Sequence, residues 1–271
     1  FPLSREINMI KFFRKIRQNM LDEGKTGKYL KYAIGEIVLV VIGILIALQI
    51  NSWNDERKAK IVENNFFDNV LLDLEKDNEN LNYYNRFHQK RIQYLDTLLT
   101  YVRNPNRTMG IEKFGMYVEP LFYSVNATNY LTTFESAKSM GIFNNFREKD
   151  IVKNLSQYYA DFVLIENSFS SITRLVENQF EPLMYTLPEG YMTETTGNLV
   201  INEEDVQIFY NKVSSIKDNR NIIYDYDRIL KTSSFENYLI GDMGRSYGAI
   251  AKIESRKAIL NRLLERIREH K

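Results

Sequence analysis

Eighteen consecutive residues, Ala33 to Ile50, carry only two strongly polar side chains, Glu36 and Gln49. As an α-helix the run is about 27 Å long, close to the hydrocarbon thickness of a bilayer. A chain with such a run must either bury it completely or place it in lipid. Tyr29 and Tyr32 at one end and Trp53 at the other stand where interfacial aromatic anchors belong, which favours a membrane span over a buried core helix. A cleaved signal peptide would need a small-residue cleavage site, whereas here the run passes into Gln49-Ile50-Asn51-Ser52-Trp53. The reading is an uncleaved anchor.

The 36 basic and 35 acidic residues nearly cancel, which argues against a general nucleic-acid binder, but they are unevenly placed. Before residue 35 there are eight basic and three acidic residues; from residue 52 onward there are 28 basic and 31 acidic. Close to the span the basic residues number six on the N-terminal side (Arg14, Lys15, Arg17, Lys25, Lys28, Lys31) and three on the other (Arg57, Lys58, Lys60). The positive-inside rule therefore puts the N-terminus in the cytoplasm and the rest outside the cytoplasmic membrane, in the periplasm of a Gram-negative cell. The chain opens on Phe, and Met9 is read as the true start, with residues 1–8 an upstream extension. The absence of cysteine excludes disulfides, thiol nucleophiles and Cys-ligated metals.

Met9-Ile10-Lys11-Phe12-Phe13-Arg14-Lys15-Ile16-Arg17, Glu23-Gly24-Lys25-Thr26-Gly27-Lys28-Tyr29, Tyr32-Ala33-Ile34-Gly35-Glu36-Ile37 and Ala47-Leu48-Gln49-Ile50-Asn51-Ser52-Trp53-Asn54 together look like one opening motif. It resembles the opening of a domain-of-unknown-function family of single-span membrane proteins common in Bacteroidota. The motif covers about 45 residues; beyond it the match is a helical pattern and the block Tyr130-Leu131-Thr132-Thr133-Phe134-Glu135-Ser136. The resemblance implies a Gram-negative inner membrane and a helical extracytoplasmic domain, and it implies no activity.

Only 17 residues are Gly or Pro, too few to punctuate a many-stranded sheet, and the expected class is all-α. The 44% hydrophobic content is ample for a folded core. Residues 55–103 contain neither Gly nor Pro and stop at Asn104-Pro105, reading as one very long helix. With Phe67 at heptad position a, the seam comprises Phe67, Leu74, Leu81, His88, Leu95 and Val102 at a, and Val70, Asp77, Tyr84, Arg91 and Leu98 at d. Helices are expected over 129–140, closed by Gly141, and over 150–180, with Tyr158, Phe162, Ile165, Phe169, Ile172 and Val176 as the buried stripe of the second. Residues 183–202 read as a surface loop; helices follow over 203–217 and 219–231. A last helix, capped by Ser233 or Ser234, pauses near Gly241-Asp242-Met243-Gly244 and buries Ile250, Ile253, Ile259, Leu260, Leu263, Leu264 and Ile267. The expected organisation is a cytoplasmic basic segment (1–31), a transmembrane helix (32–53), a long stalk helix (54–104) and a periplasmic helical bundle (105–271).

The candidate site residues sit in and around the span. Gly43 and Ala47 each fall about 20° from Glu36 around a helix, so the one intramembrane charge shares a face with two small residues. Gly43-x-x-x-Ala47 is a helix-packing spacing, which points to self-association. Glu36 has three readings: shallow and paired with Lys28 or Lys31, structural packing, or handling of an ion or proton. Lys11, Arg14, Lys15, Arg17, Lys25 and Lys28, interleaved with apolar residues, form an amphipathic segment suited to anionic headgroups or to a cytoplasmic partner. Asp77, His88 and Arg91 read as a polar layer that sets register, with a titrating His88 as the alternative.

Two histidines leave no His-Glu-x-x-His zinc site and no Ser-His-Asp set. Ser214-Ser215-Ile216-Lys217 fits a Ser-x-x-Lys spacing but has no companion motifs. Gly241-x-x-Gly244-x-x-x-Gly248 lacks the Gly-Lys-Ser/Thr of a phosphate loop. No cofactor and no nucleic acid is expected; the partners are membrane lipids and a second copy or a larger membrane complex. The leading expectation is a non-enzymatic, single-span inner-membrane protein, homo-oligomeric, acting as scaffold or envelope sensor. The alternatives are an ion pore or accessory channel subunit using Glu36, and a periplasmic ligand-binding module with a pocket among the aromatic residues of 130–146.

Overall fold

A computed structural model describes residues 14, 15, 18, 26–185, 215 and 230–270. Every regular element among them is helical, and none is a strand. The chain divides into two compact units, residues 1–62 and 63–271.

In the first unit the described part is Arg14, Lys15, Gln18 and the helix α1 (Thr26–Arg103) as far as Val62. Its apolar side chains from Ile34 to Ile50 are all exposed, and its most apolar 18-residue window has a mean hydropathy of 2.6 with none of it buried. That is long and apolar enough to cross a membrane.

The second unit is built on α1 from Glu63 to Arg103, with α2 (Ile111–Val118) and a 3₁₀ turn (Glu119–Phe122), α3 (Thr132–Ser139) and a 3₁₀ turn (Ile142–Asn145), α4 (Lys149–Ala160), α5 (Val163–Leu175), a π turn (Val176–Phe180), α6 (Glu181–Met184) and α7 (Ser233–His270). Every residue of the predicted heptad seam is buried except the half-buried Val102. From Glu63 onward the helix expected over 54–104 is the spine of the bundle. A seam of that period is satisfied equally by helices of the same chain, and here α5 supplies Phe169 against Tyr84 and His88.

α7 packs on both α4 and α5. Arg245 donates to Ser171 and Gly241 lies against Leu175, so α5 and α7 run antiparallel. The expected stripes of 158–176 and of α7 are buried, apart from the half-buried Ile250 and Ile259.

Three local expectations change. The single helix over 150–180 breaks after Ala160, where Leu164 N–H and Ile165 N–H bond back only three residues, to the Asp161 and Phe162 carbonyls. Gly141 closes α3 at φ +66° as predicted, but α3 begins at Thr132 rather than 129: residues 129–131 carry no secondary structure, and Tyr130 N–H is taken by Asp77 of α1. The pause at Gly241–Gly244 is absent: α7 is continuous, since packing on Leu175 and the anchoring of Asp242 outweigh the roughly 1 kcal/mol each glycine costs a helix. The expected loop over 183–202, the helices over 203–217 and 219–231 and the Ser214-to-Lys217 pattern fall, but for a few residues, outside the described residues.

Candidate functional site

Two features stand out, one in each unit. In the first, α1 is helical throughout 26–62, and the 100° spacing of a helix places Glu36, Gly43 and Ala47 on one face. A Cβ built on Gly43 meets no atom within 4 Å, so the glycine leaves an open notch in an exposed apolar surface. Tyr32 and Trp53 are exposed at the two ends of the apolar run, and Tyr29 and Lys28 lie in the first turn of the helix. Arg14 and Lys15 are exposed; Lys11, Arg17 and Lys25 lie outside the described residues.

In the second unit the seam positions that break the apolar pattern form a buried polar stripe. Arg91 is fully buried and paired with the equally buried Asp242 of α7, Nη2 to Oδ2 at 2.6 Å and Nε to Oδ1 at 3.0 Å. Its remaining donors reach the carbonyls of Tyr123 at 2.8 Å and Leu121 at 2.9 Å. Asp242 also accepts from the Tyr238 hydroxyl at 2.7 Å and the Ser246 hydroxyl at 3.1 Å. Burial opposes the Arg91 charge, but Asp242 and its hydrogen bonds more than offset it, and the pKa is raised. This is a satisfied buried ion pair, the arrangement in which both charges persist away from water.

One end of the stripe is held by carboxylates. Asp77 accepts from Tyr130 N–H at 2.7 Å and from the Tyr158 hydroxyl at 3.1 Å. Burial pushes its pKa up to about 6, while those two donors pull the other way. Tyr158 in turn carries the Arg256 guanidinium over its ring at 3.7 Å, and its carbonyl accepts from Arg256 at 2.6 Å. Glu63, buried at the first position of the unit, accepts from Arg147 N–H and Glu148 N–H at 2.8 and 2.9 Å, satisfying donors that precede α4. Asn85 donates to Glu254 of α7.

His88 differs from these. Among the described residues neither ring nitrogen has a hydrogen-bond partner, and the ring sits against Phe87 and Phe169. Burial, and then Arg91, push its pKa down to about 4, so the imidazole is neutral at physiological pH. Glu119 is also buried, and burial raises its pKa to about 7.

The sequence picked out Asp77, His88 and Arg91, and the structure buries all three; the sequence placed Tyr158 in the core without its bond to Asp77, and it missed Asp242, Arg256, Glu63 and Glu119. Asp242 sits between two glycines in a long helix, and its spacing from Ser246 was the only local signal. The aromatic residues of 130–146 pack on one another: Phe134 lies 5.2 Å from Phe143 and 5.0 Å from Tyr159, and Phe146 is 5.3 Å from Phe66. A shallow groove of about 370 Å³ lies elsewhere, between α4 and α7, lined by Tyr158, Ile259, Leu263, Arg262 and Arg266 among others. No group of three or more His, Asp or Glu able to hold a metal is present among the described residues. The carboxylates of the stripe are committed to guanidinium, hydroxyl and main-chain N–H donors, which is the chemistry of fixing a fold.

These features define an all-helical protein that joins a helix long and apolar enough to cross a bilayer to a bundle with a polar spine. The chain belongs to the Family of unknown function (DUF6090), whose model matches residues 36–183, from Glu36 into α6. No curated protein and no solved structure matches it.

Proposed function

We propose that the chain is a non-enzymatic, single-span inner-membrane protein that presents a helical periplasmic bundle, associates with copies of itself through the span, and acts as a scaffold or envelope sensor. The observation that carries the reading is the exposed apolar surface of α1 from Ile34 to Ile50, in the same helix that forms the spine of a separately cored bundle. At about 25 cal/mol per Å², so much apolar surface left in water is far costlier than its transfer to lipid. The basic excess before residue 35 supports an N-terminus in the cytoplasm, with Arg14, Lys15 and their neighbours on anionic headgroups. The Gly43 notch, with Ala47 and Glu36 on its face, supports packing against a second copy.

Native mass spectrometry of the full-length protein, extracted gently with lipids retained, tests this. Wild type is expected as a closed homo-oligomer that Gly43→Leu dissociates. Monomers of both, or an unchanged oligomer in Gly43→Leu, would overturn the association through this face.

A further inference from the structure

Residues 123–131 have no secondary structure, yet they lie in register along α1. Arg91 holds the Tyr123 carbonyl; the Tyr84 hydroxyl accepts from Thr128 N–H at 2.9 Å and lies 3.4 Å from the Asn126 carbonyl. Asn80 reaches the Thr128 carbonyl at 3.5 Å, Asp77 takes Tyr130 N–H, and Asp73 takes Thr133 N–H at 3.3 Å. The five α1 residues fall within an arc of about 60° on the helix, and they are used in reverse order along the segment. From Arg91 to Asp77 the helix rises about 21 Å. Seven residues of extended chain, Tyr123 to Tyr130, span about 23 Å. The two lengths match.

The segment also alternates as an extended chain does. Tyr123, Val125, Ala127, Asn129 and Leu131 are half-buried, while Ser124, Asn126, Thr128 and Tyr130 are exposed. No side chain from Phe122 to Thr133 is fully buried; the main-chain bonds are supplemented by Thr128 Oγ1, 3.1 Å from the Tyr84 hydroxyl and 3.4 Å from Asn80 Nδ2, and by the half-buried Val125, Ala127 and Leu131, which pack on the core. A groove that grips main-chain atoms is indifferent to most of the sequence it grips, asking only for small or medium apolar side chains at alternate positions, as Val125 and Ala127 provide.

We propose that the polar stripe of α1 is a docking groove for an extended polypeptide, and that residues 123–131 are its resident occupant, a strap that lifts as one unit while the helices stay folded. Lifting exposes the groove to an extended segment of a partner protein. Such sub-global opening is expected where few apolar contacts hold a segment.

The test uses the full-length protein in neutral detergent, hydrogen exchange, and a fluorescent synthetic peptide of residues 121–133. Thr128→Pro removes the N–H that Tyr84 accepts together with the Oγ1 that meets Tyr84 and Asn80, is compatible with extended backbone, and leaves every groove side chain on α1 intact. It should speed exchange across 123–131 by about tenfold, the worth of one or two hydrogen bonds, without changing α4 or α7. Asn126→Ala, which keeps the main-chain contacts, should change strap exchange less than about twofold. Because the resident strap competes at high effective concentration, the peptide should bind Thr128→Pro more tightly than wild type by a similar factor. Exchange that rises equally in α4 and α7 would overturn the strap, and a peptide that binds neither protein, or both alike, would overturn the groove.

Discussion

Asp242 and Glu236 sit on α7 and each meets an arginine of α1 at nearly the same distance, 2.6 Å to Arg91 and 2.7 Å to Arg103. They differ in surroundings: both side chains of the first pair are 0% exposed, while those of the second are 57% and 33% exposed. Asp242→Asn leaves a guanidinium, with no route to water, beside an amide that offers one acceptor where the carboxylate took both Arg91 and two hydroxyls. Breaking a buried pair from one side costs about 3–5 kcal/mol. At about 2–4 °C per kcal/mol for a unit of this size, the melting temperature should fall by roughly 6–20 °C. Glu236→Gln should cost under about 1 kcal/mol, because water screens that pair. The assay is urea and thermal unfolding of full-length protein in neutral detergent, followed by circular dichroism at low and high salt. The Asp242→Asn loss should be insensitive to salt and the smaller Glu236→Gln loss should shrink with it. Equal costs for the two variants would refute the argument that burial, not distance, sets the worth of these pairs.

Stability should also respond to pH with opposing contributions. Asp77, raised to about 6 from 3.8, makes the folded state bind more protons between those values, so its contribution falls as pH rises from about 4 to 6. His88, lowered to about 4 from 6.5, makes the unfolded state bind more protons, and its contribution rises with pH over a similar window. Asp77→Asn should therefore make the slope of unfolding free energy between pH 4.5 and 6 more positive than in wild type; an unchanged or more negative slope in a denaturant series would contradict the assignment. Gly141→Ala should destabilise by about 1–2 kcal/mol, because its φ of +66° is left-handed. Gly110→Ala, at φ −61° with open space around it, should be neutral or slightly stabilising. Identical melting shifts for the two glycine variants would show that backbone conformation is not the cause.

The fold was legible where the signal is local. The period of the seam from Phe67 to Leu98, the stop at Asn104-Pro105 and the left-handed Gly141 are properties of short windows. What covers the seam is not such a property. The same apolar pattern suits a stalk in a coiled coil or a spine in a bundle, and only the tertiary arrangement chooses. Arg91 and Asp242 are 151 residues apart, so the sequence shows a polar break at the seam without its partner. Gly241 and Gly244 read as a pause because propensity is all a sequence window contains, whereas in the bundle Leu175 and Arg91 hold that turn of α7. The strap was hidden for a related reason: its bonds come from side chains some 30–50 residues away, and its last residues, 129–131, fall within the helix expected over 129–140.

The central claim, a single span with the bundle on the far side, is tested most directly by cysteine labelling, because the native chain has no cysteine to confuse it. Single variants Lys28→Cys, Ile42→Cys and Ser124→Cys would be exposed to a membrane-impermeant maleimide, first in cells with only the outer membrane opened and then after full permeabilisation. The account predicts Ser124→Cys labelled in both conditions, Lys28→Cys only after full permeabilisation, and Ile42→Cys in neither. Labelling of Ile42→Cys as fast as Ser124→Cys, or of Lys28→Cys and Ser124→Cys from the same side, would contradict it.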